Sequence, residues 1–155
     1  MVRFKNRYIL FEIVYDEDEE KKINVNYSII SKAIKTSIEQ NFGAYGIGII
    51  QSSFTIKYFS PVTKIGILRS SRKQFNMIWA SLTFINNIQN NGCLIRVLHV
   101  GGTIKSTQKA AIKYDQEQLL SIYSKIAKSK NTKNDNFDIE EHIQKSYNDI
   151  MSIEV

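Results

Sequence analysis

The sequence predicts an α+β domain whose elements follow the order βαββαβ, with further helices behind the last strand. Three features point there. Runs rich in β-branched and aromatic residues, such as "RYILFEIVY", "IGILR" and "CLIRVLHV", alternate with stretches whose apolar residues recur every three or four positions. The chain's single proline sits in "SPVT", between two strand-like runs, where a hairpin needs its turn. The first run is apolar on both alternating faces apart from Glu12, as a central strand covered on both sides would be.

Strand one covers residues 7–15, and the acidic run "DEDEE" after it reads as a solvated loop. Ile30, Ile34, Ile38 and Phe42 then recur every four residues, with Gly43 as a helix stop; this is helix one. "GAYGIG" reads as loop. Strand two runs from Ile49 to Phe59, with Phe54, Ile56 and Tyr58 on one face and Ser53, Thr55 and Lys57 on the other. "IGILR" is the returning strand. Ser70 or Ser71 can cap helix two, whose apolar positions are Phe75, Ile78, Trp79, Leu82 and Ile85. "QNNGC" ends that helix, "CLIRVLHV" is strand four, and Gly101 and Gly102 break it. Helix three starts near Thr103, reaches Tyr114 and continues through "QLLSIYSKIAK". Residues 1–128 read as one domain. Residues 129–155 read as a flexible polar linker, "SKNTKNDN", and a short acidic amphipathic helix with Ile139, Ile143, Tyr147 and Ile150 on one face.

This order is the split βαβ, ferredoxin-like (RRM-like) sandwich, with a four-stranded antiparallel sheet in the order 4-1-3-2. A chain of 155 residues is long enough for one such core. The sheet's other face must be covered by helix three or by a partner, since large apolar patches rarely stay exposed.

Charge is distributed unevenly. Eleven of the fifteen acids lie in "DEDEE" and between Asp135 and Glu154, and no carboxylate side chain occurs from Gln40 through Tyr114. That span carries nine Lys and Arg residues, and the whole chain has a net charge of +6. A positive field of this kind favours a polyanionic partner. The topology sharpens the point, because strands three and four end beside the start of strand one. Arg3, Lys5 and Arg7 are thereby expected next to Arg69, Ser71, Arg72 and Lys73, with Thr103 and Lys105 joining behind the Gly pair. Lys57 and Lys64 of the same hairpin are counted with them as RNA-binding candidates. Helix N-termini and guanidinium groups both suit phosphate, and glycine lets a backbone approach closely.

Catalytic signatures are missing. A nuclease needs carboxylates for metal ions or for acid–base work, and the carboxylate-free span supplies none. His99 lies in the apolar "VLHV" as a core or partner-facing residue, His142 belongs to the solvated face of the last helix, and Cys93 has no evident activating base. One cysteine excludes an internal disulfide and fits a reducing compartment. No Walker or dinucleotide pattern occurs, and the N-terminal apolar run is too short for a membrane or signal segment. The chain is therefore not expected to be an enzyme by itself, and no catalytic or metal-binding residue is assigned. Strand three also lacks the stacking aromatics of an ordinary RNA-recognition motif, so backbone or shape recognition is preferred over sequence reading.

Three blocks, "MVRFKNRYILFEIV", "KYFSPVTKIGILR" and "RVLHVGGTIK", resemble the small protein subunit of ribonuclease P and ribonuclease MRP of archaea and eukaryotes, the "processing of precursors" subunit five. The likeness runs from Val2 to about Lys113, with "NFGAYG" and "WASLTFI" in register between the blocks. It implies the ferredoxin-like fold and a non-catalytic subunit that binds and stabilises a catalytic RNA. The particle would remove 5′ leaders from precursor tRNA and process rRNA. No cofactor would be bound by this chain, and Mg2+ is expected at the RNA active site. The implied partners are the ribonuclease P/MRP RNA, a TIM-barrel-like protein subunit and other subunits, with precursor tRNA as the complex's substrate and no membrane. The implied location is nuclear and nucleolar. The family's basic N-terminal segment corresponds to Arg3, Lys5 and Arg7, its "GI-R" strand end to Arg69, and its "GT-K" segment to Thr103 and Lys105. The resemblance stops near Lys113; the Asn/Lys linker and acidic last helix match no clear part of the family's pattern, and they read as an extension that docks on another subunit or as a tether. The rival readings are a protein-interaction scaffold of another RNA-processing complex and a small phosphate-handling enzyme such as an acyl-phosphate hydrolase.

Overall fold

The run "NRYILFEIVY" forms β1 (Asn6–Tyr15), buried along most of its length in the computed structural model, which describes residues 3–16, 24–129 and 136–153. Alternation divides its side chains. Ile9, Phe11, Ile13 and Tyr15 enter one core with α1 (Tyr27–Ile50) and α2 (Phe75–Phe84). Tyr8 and Leu10 enter a second core with Ile104 and Ala111 of α3 (Ile104–Ser129) and Ile150 of α4 (Asn136–Met151). Helices thus lie on both faces, and α3 covers the side that two helices alone would leave bare. Glu12, the one acid of β1, is buried and ion-paired with its register partner Arg96.

The remaining strands are β2 (Thr55–Phe59), β3 (Ile65–Ser71), β4 (Asn87–Ile88) and β5 (Asn91–Gly101). They line up as β2-β3-β1-β5-β4 with every pairing antiparallel. The expected 4-1-3-2 order is present in β5, β1, β3 and β2. The sheet nevertheless has five strands rather than four. "QNNGC" is not a helix end but a tight hairpin, in which Gln89 (φ 53°) and Asn90 (φ 63°) take the left-handed conformation that a two-residue turn requires.

Two further expectations fail for local reasons. Gly43 does interrupt α1, at φ 69° and ψ −166°, but the helix resumes behind it, so "AYGIG" is helical rather than loop. Its start is capped as a helix should be, with Asn26 Oδ1 accepting from the Ile29 amide at 3.1 Å. Strand two begins at Thr55, not Ile49, because α1 runs to Ile50 and residues 51–53 form a turn. A bulge between Ile56 and Tyr58 then breaks the alternation, so Ile56 joins the α1/α2 core while Tyr58 packs against the α3/α4 core.

The last helix is seated on the domain. Ile150 is fully buried, and Gln108 Nε2 of α3 donates to the carbonyls of Ile150 at 3.0 Å and Ile153 at 3.3 Å. The predicted linker "SKNTKNDN" and most of the acidic run fall largely outside the described residues.

Candidate nucleic-acid interface

The register fixes the rim. Asn6 pairs with Ser71 and Tyr8 with Gly101, so the start of β1 lies between the ends of β3 and β5, as the topology predicts. One more backbone bond, Arg72 N–H to Lys5 O at 2.8 Å, holds the N-terminal segment alongside the exit of β3. Together with the end of α1 and its turn (Ile49, Ser52, Ser53), these segments enclose a cleft of about 900 Å³. Arg3, Lys5, Arg69, Arg72 and Lys73 line it together with Ser71, and no carboxylate does. Six of the eleven predicted residues therefore meet in one concave site.

The wall of the cleft carries polar atoms without protein partners. Arg69 Nε, Ser71 Oγ and Ser53 Oγ are shielded and make no hydrogen bond among the described residues. A buried polar group left unpaired costs about 1–3 kcal/mol. The serines also do not cap α2, contrary to expectation. Ser70 Oγ donates to Ser71 O at 3.0 Å, and the N-cap is Gln74, whose side chain makes no cap bond. Gln74 lines the cleft, so α2 starts at its edge with no side-chain cap on its first turn, and an uncapped helix start favours an anion.

The other predicted residues divide. Arg7 and the Gly102–Lys105 stretch lie on the β5 side of β1, outside the cleft but on the same rim. The room left by the glycines is used by the chain itself: a Cβ on Gly102 would sit 3.3 Å from the Arg7 guanidinium, and one on Gly101 would sit 2.7 Å from Thr107 Oγ1. Thr103 Oγ1 accepts from the Ser106 amide at 3.3 Å and so caps α3, while Lys105 is exposed in its first turn. Lys57 is half-buried at the bulge of the edge strand β2. Lys64 is not at the rim. It occupies the β2–β3 turn, roughly 20 Å along β3 from Ser71 at strand spacing, where its ammonium donates to Pro61 O at 3.2 Å and stands 5.7 Å from the Tyr15 ring centroid.

Sequence reasoning missed Phe4, which is 91% exposed at the mouth of the cleft. The signal is an aromatic set between cations in "VRFKNR", outside strand three, where an ordinary RNA-recognition motif carries its stacking residues. Elsewhere, burial pushes the Cys93 thiol up to about 11, so it stays protonated near neutrality. His99 Nε2 lies 3.2 Å from Ser106 Oγ, and the His142 ring is tilted against Tyr123. Asp115 is buried, accepts from Thr63 Oγ1 at 2.8 Å, and has its carboxyl raised above the usual range, chiefly by desolvation.

Residues 7–112 match the model of the Rpp14/Pop5 family. The chain is 43% identical over 130 residues to "Ribonuclease P/MRP protein subunit POP5" of Schizosaccharomyces pombe, covering 79% of this chain and 94% of that protein. It is 35% identical over 124 residues to the Homo sapiens protein of the same name, covering 77% and 76% respectively. Among solved structures it resembles a chain of the cryo-EM structure of yeast ribonuclease MRP, with a TM-score of 0.56 at 9% identity, over 67% of this chain and 79% of that one, a likeness of fold alone. By the extent of the family match and the coverage of these relatives, this chain is a member of the Rpp14/Pop5 family.

Proposed function

We propose that this chain is a non-catalytic protein subunit of the ribonuclease P and ribonuclease MRP ribonucleoproteins, and that it holds RNA along the cationic rim. The observation that carries the RNA-binding part is the cleft itself, where five cations from two chain segments meet with no carboxylate among the residues lining it. Its physical task is to lower phosphate repulsion where the catalytic RNA folds tightly. Hydrolysis, with Mg2+, belongs to the RNA, whose substrates are precursor tRNA 5′ leaders in one particle and rRNA precursors in the other. We read the βαββαβ core as ferredoxin-like, which the β2-β3-β1-β5 order supports, and expect a nuclear, nucleolar location. A TIM-barrel-like subunit and other proteins of the particle are the expected protein partners. A protein contact is favoured where the register partners Val14 and Leu94 both stay exposed, at 43% and 55%.

The test replaces Arg69, Arg72 and Lys73 by Ala and measures RNA affinity across a salt series. Each lost phosphate contact lowers the slope of log K against log salt by roughly one unit. An unchanged slope in a folded protein removes this rim from the binding site. Purification of the tagged chain from its own cells, with identification of the RNA that accompanies it, tests the assignment to the particle; the absence of a ribonuclease P or MRP RNA overturns it.

A further inference from the structure

We infer that the cleft takes a single unpaired nucleotide of an RNA strand, with its phosphate between Arg69, Ser71 and the start of α2 and its base laid against Phe4. This rests on the RNA-binding reading of the same rim and states which kind of RNA the rim selects. The first ground is shape. A paired backbone can be met by cations on a flat surface, and its bases stay within the stack, whereas this site is a cavity of about 900 Å³, inside the roughly 300–1,000 Å³ range of small-ligand pockets. The second ground is mixed chemistry. A site for phosphate alone needs no aromatic, yet Phe4 stands 91% exposed among Arg3, Lys5 and Arg72, with Ile49 also in the lining. Exposed aromatics beside cations are what unpaired bases stack on.

The third ground is the unpartnered polar wall. Arg69 Nε can only donate, so its partner must be an acceptor, and Ser53 and Ser71, whose hydroxyls also lack a partner, line the same cleft. Among the lining residues no carboxylate competes for these donors. The start of α2 adds to them, because its N-cap Gln74 lines the same cleft and makes no side-chain cap bond. A strand, rather than a free mononucleotide, is indicated by what continues beyond the cleft. Arg7 and Lys105 lie farther along the same rim, outside the cavity, where a neighbouring phosphate would pass.

The experiment uses the full chain and fluorescence anisotropy with two probes, a short single-stranded oligouridylate and an RNA duplex of equal length, each over a salt series. Phe4→Ala is expected to weaken single-strand binding about tenfold, as loss of one base–aromatic stack predicts, with the salt slope unchanged and duplex binding unaffected; Phe4→Trp restores it. The Arg72→Ala/Lys73→Ala double variant instead lowers the slope by about 0.7 per lost contact. If Phe4→Ala binds single strands like the wild type while the double variant loses slope, the nucleotide pocket is wrong and the rim stands. If Phe4→Ala weakens duplex and single strand alike, selection of an unpaired base is wrong. If uridine monophosphate competes as well as the oligomer, the strand is not what is recognised. If neither variant changes anything, the RNA-binding rim falls with the pocket.

Discussion

Replacing Ile150 by Ala asks whether α4 belongs to the folded unit. The side chain is 0% exposed in the core shared with Tyr8, Leu10 and Ile67, and its carbonyl accepts from Gln108 at 3.0 Å. Truncating a fully buried Ile to Ala costs about 2–5 kcal/mol. A terminal helix limits that loss, because once the penalty exceeds the free energy of docking, α4 undocks and the rest stays folded. The lower part of the range, about 2–3 kcal/mol, is therefore expected. With a urea m value of about 2 kcal/mol per M, the midpoint falls by about 1–1.5 M. Urea denaturation followed by circular dichroism reads the shift, and hydrogen exchange locates it, with α4 amides losing protection before those of β1. A midpoint equal to that of the wild type, with α4 amides unprotected in both proteins, would refute the seating of this helix.

Two further outcomes follow from buried contacts on either side of the sheet. Because burial raises the Asp115 carboxyl above its unfolded value, its stabilising contribution is full at acid pH and is lost as pH rises through the folded-state pKa. Asp115→Asn keeps an acceptor for Thr63 Oγ1, so the variant should gain on the wild type between acid and neutral pH in thermal melts; a difference that shrinks with rising pH contradicts this. At Gly66 an added Cβ would lie 2.5 Å from Phe11 Cζ and 2.9 Å from Cε1, and that ring is fully buried. Gly66→Ala should cost about 1–3 kcal/mol by overpacking, read by the same denaturation, and an unchanged midpoint would show that the Phe11 ring yields freely.

The elements that were legible in the sequence are those whose signal is local. β1 showed two apolar faces and acquired helices on both, and Ile30, Ile34 and Ile38 marked the buried face of α1. The failures are tertiary. Two glycines in "AYGIG" lower helix propensity, yet the segment is helical and its Gly46 leaves so little room that a Cβ would lie 2.6 Å from Phe42 Cβ. The β2 bulge depends on how the edge strand meets β3, which residue alternation cannot report. For the site, convergence of Arg3 and Lys5 with Arg69, Arg72 and Lys73 was readable because strand order alone dictates which ends adjoin. Lys64 shares their charge, but its place directly behind the "SPVT" turn sets it at the opposite end of the hairpin, as the register shows. The same strand order carries Phe4 to the exit of β3 between Arg3 and Lys5, but neither charge nor apolar alternation marks a lone aromatic outside a strand as part of a site.

The placement of the buried acids completes the electrostatics of the rim. Glu12 and Asp115 are the buried carboxylates among the described residues, and neither lies near the cleft. Glu12 stands opposite Ile65 at the far end of β3, and Asp115 is bonded to Thr63 in the turn beyond it. The Glu12 charge is met there by Arg96, and the turn also holds Lys64. The buried carboxylates thus lie at the turn end of the sheet, while Arg3, Lys5, Arg69, Arg72 and Lys73 line a cleft at the other end that no carboxylate lines. An approaching polyanion meets an attractive field at one end and none from these groups at the other, so charge orients the encounter before any contact forms. Within the cleft, selection then falls to the groups that charge cannot replace, the Phe4 ring and the unpaired Arg69 Nε.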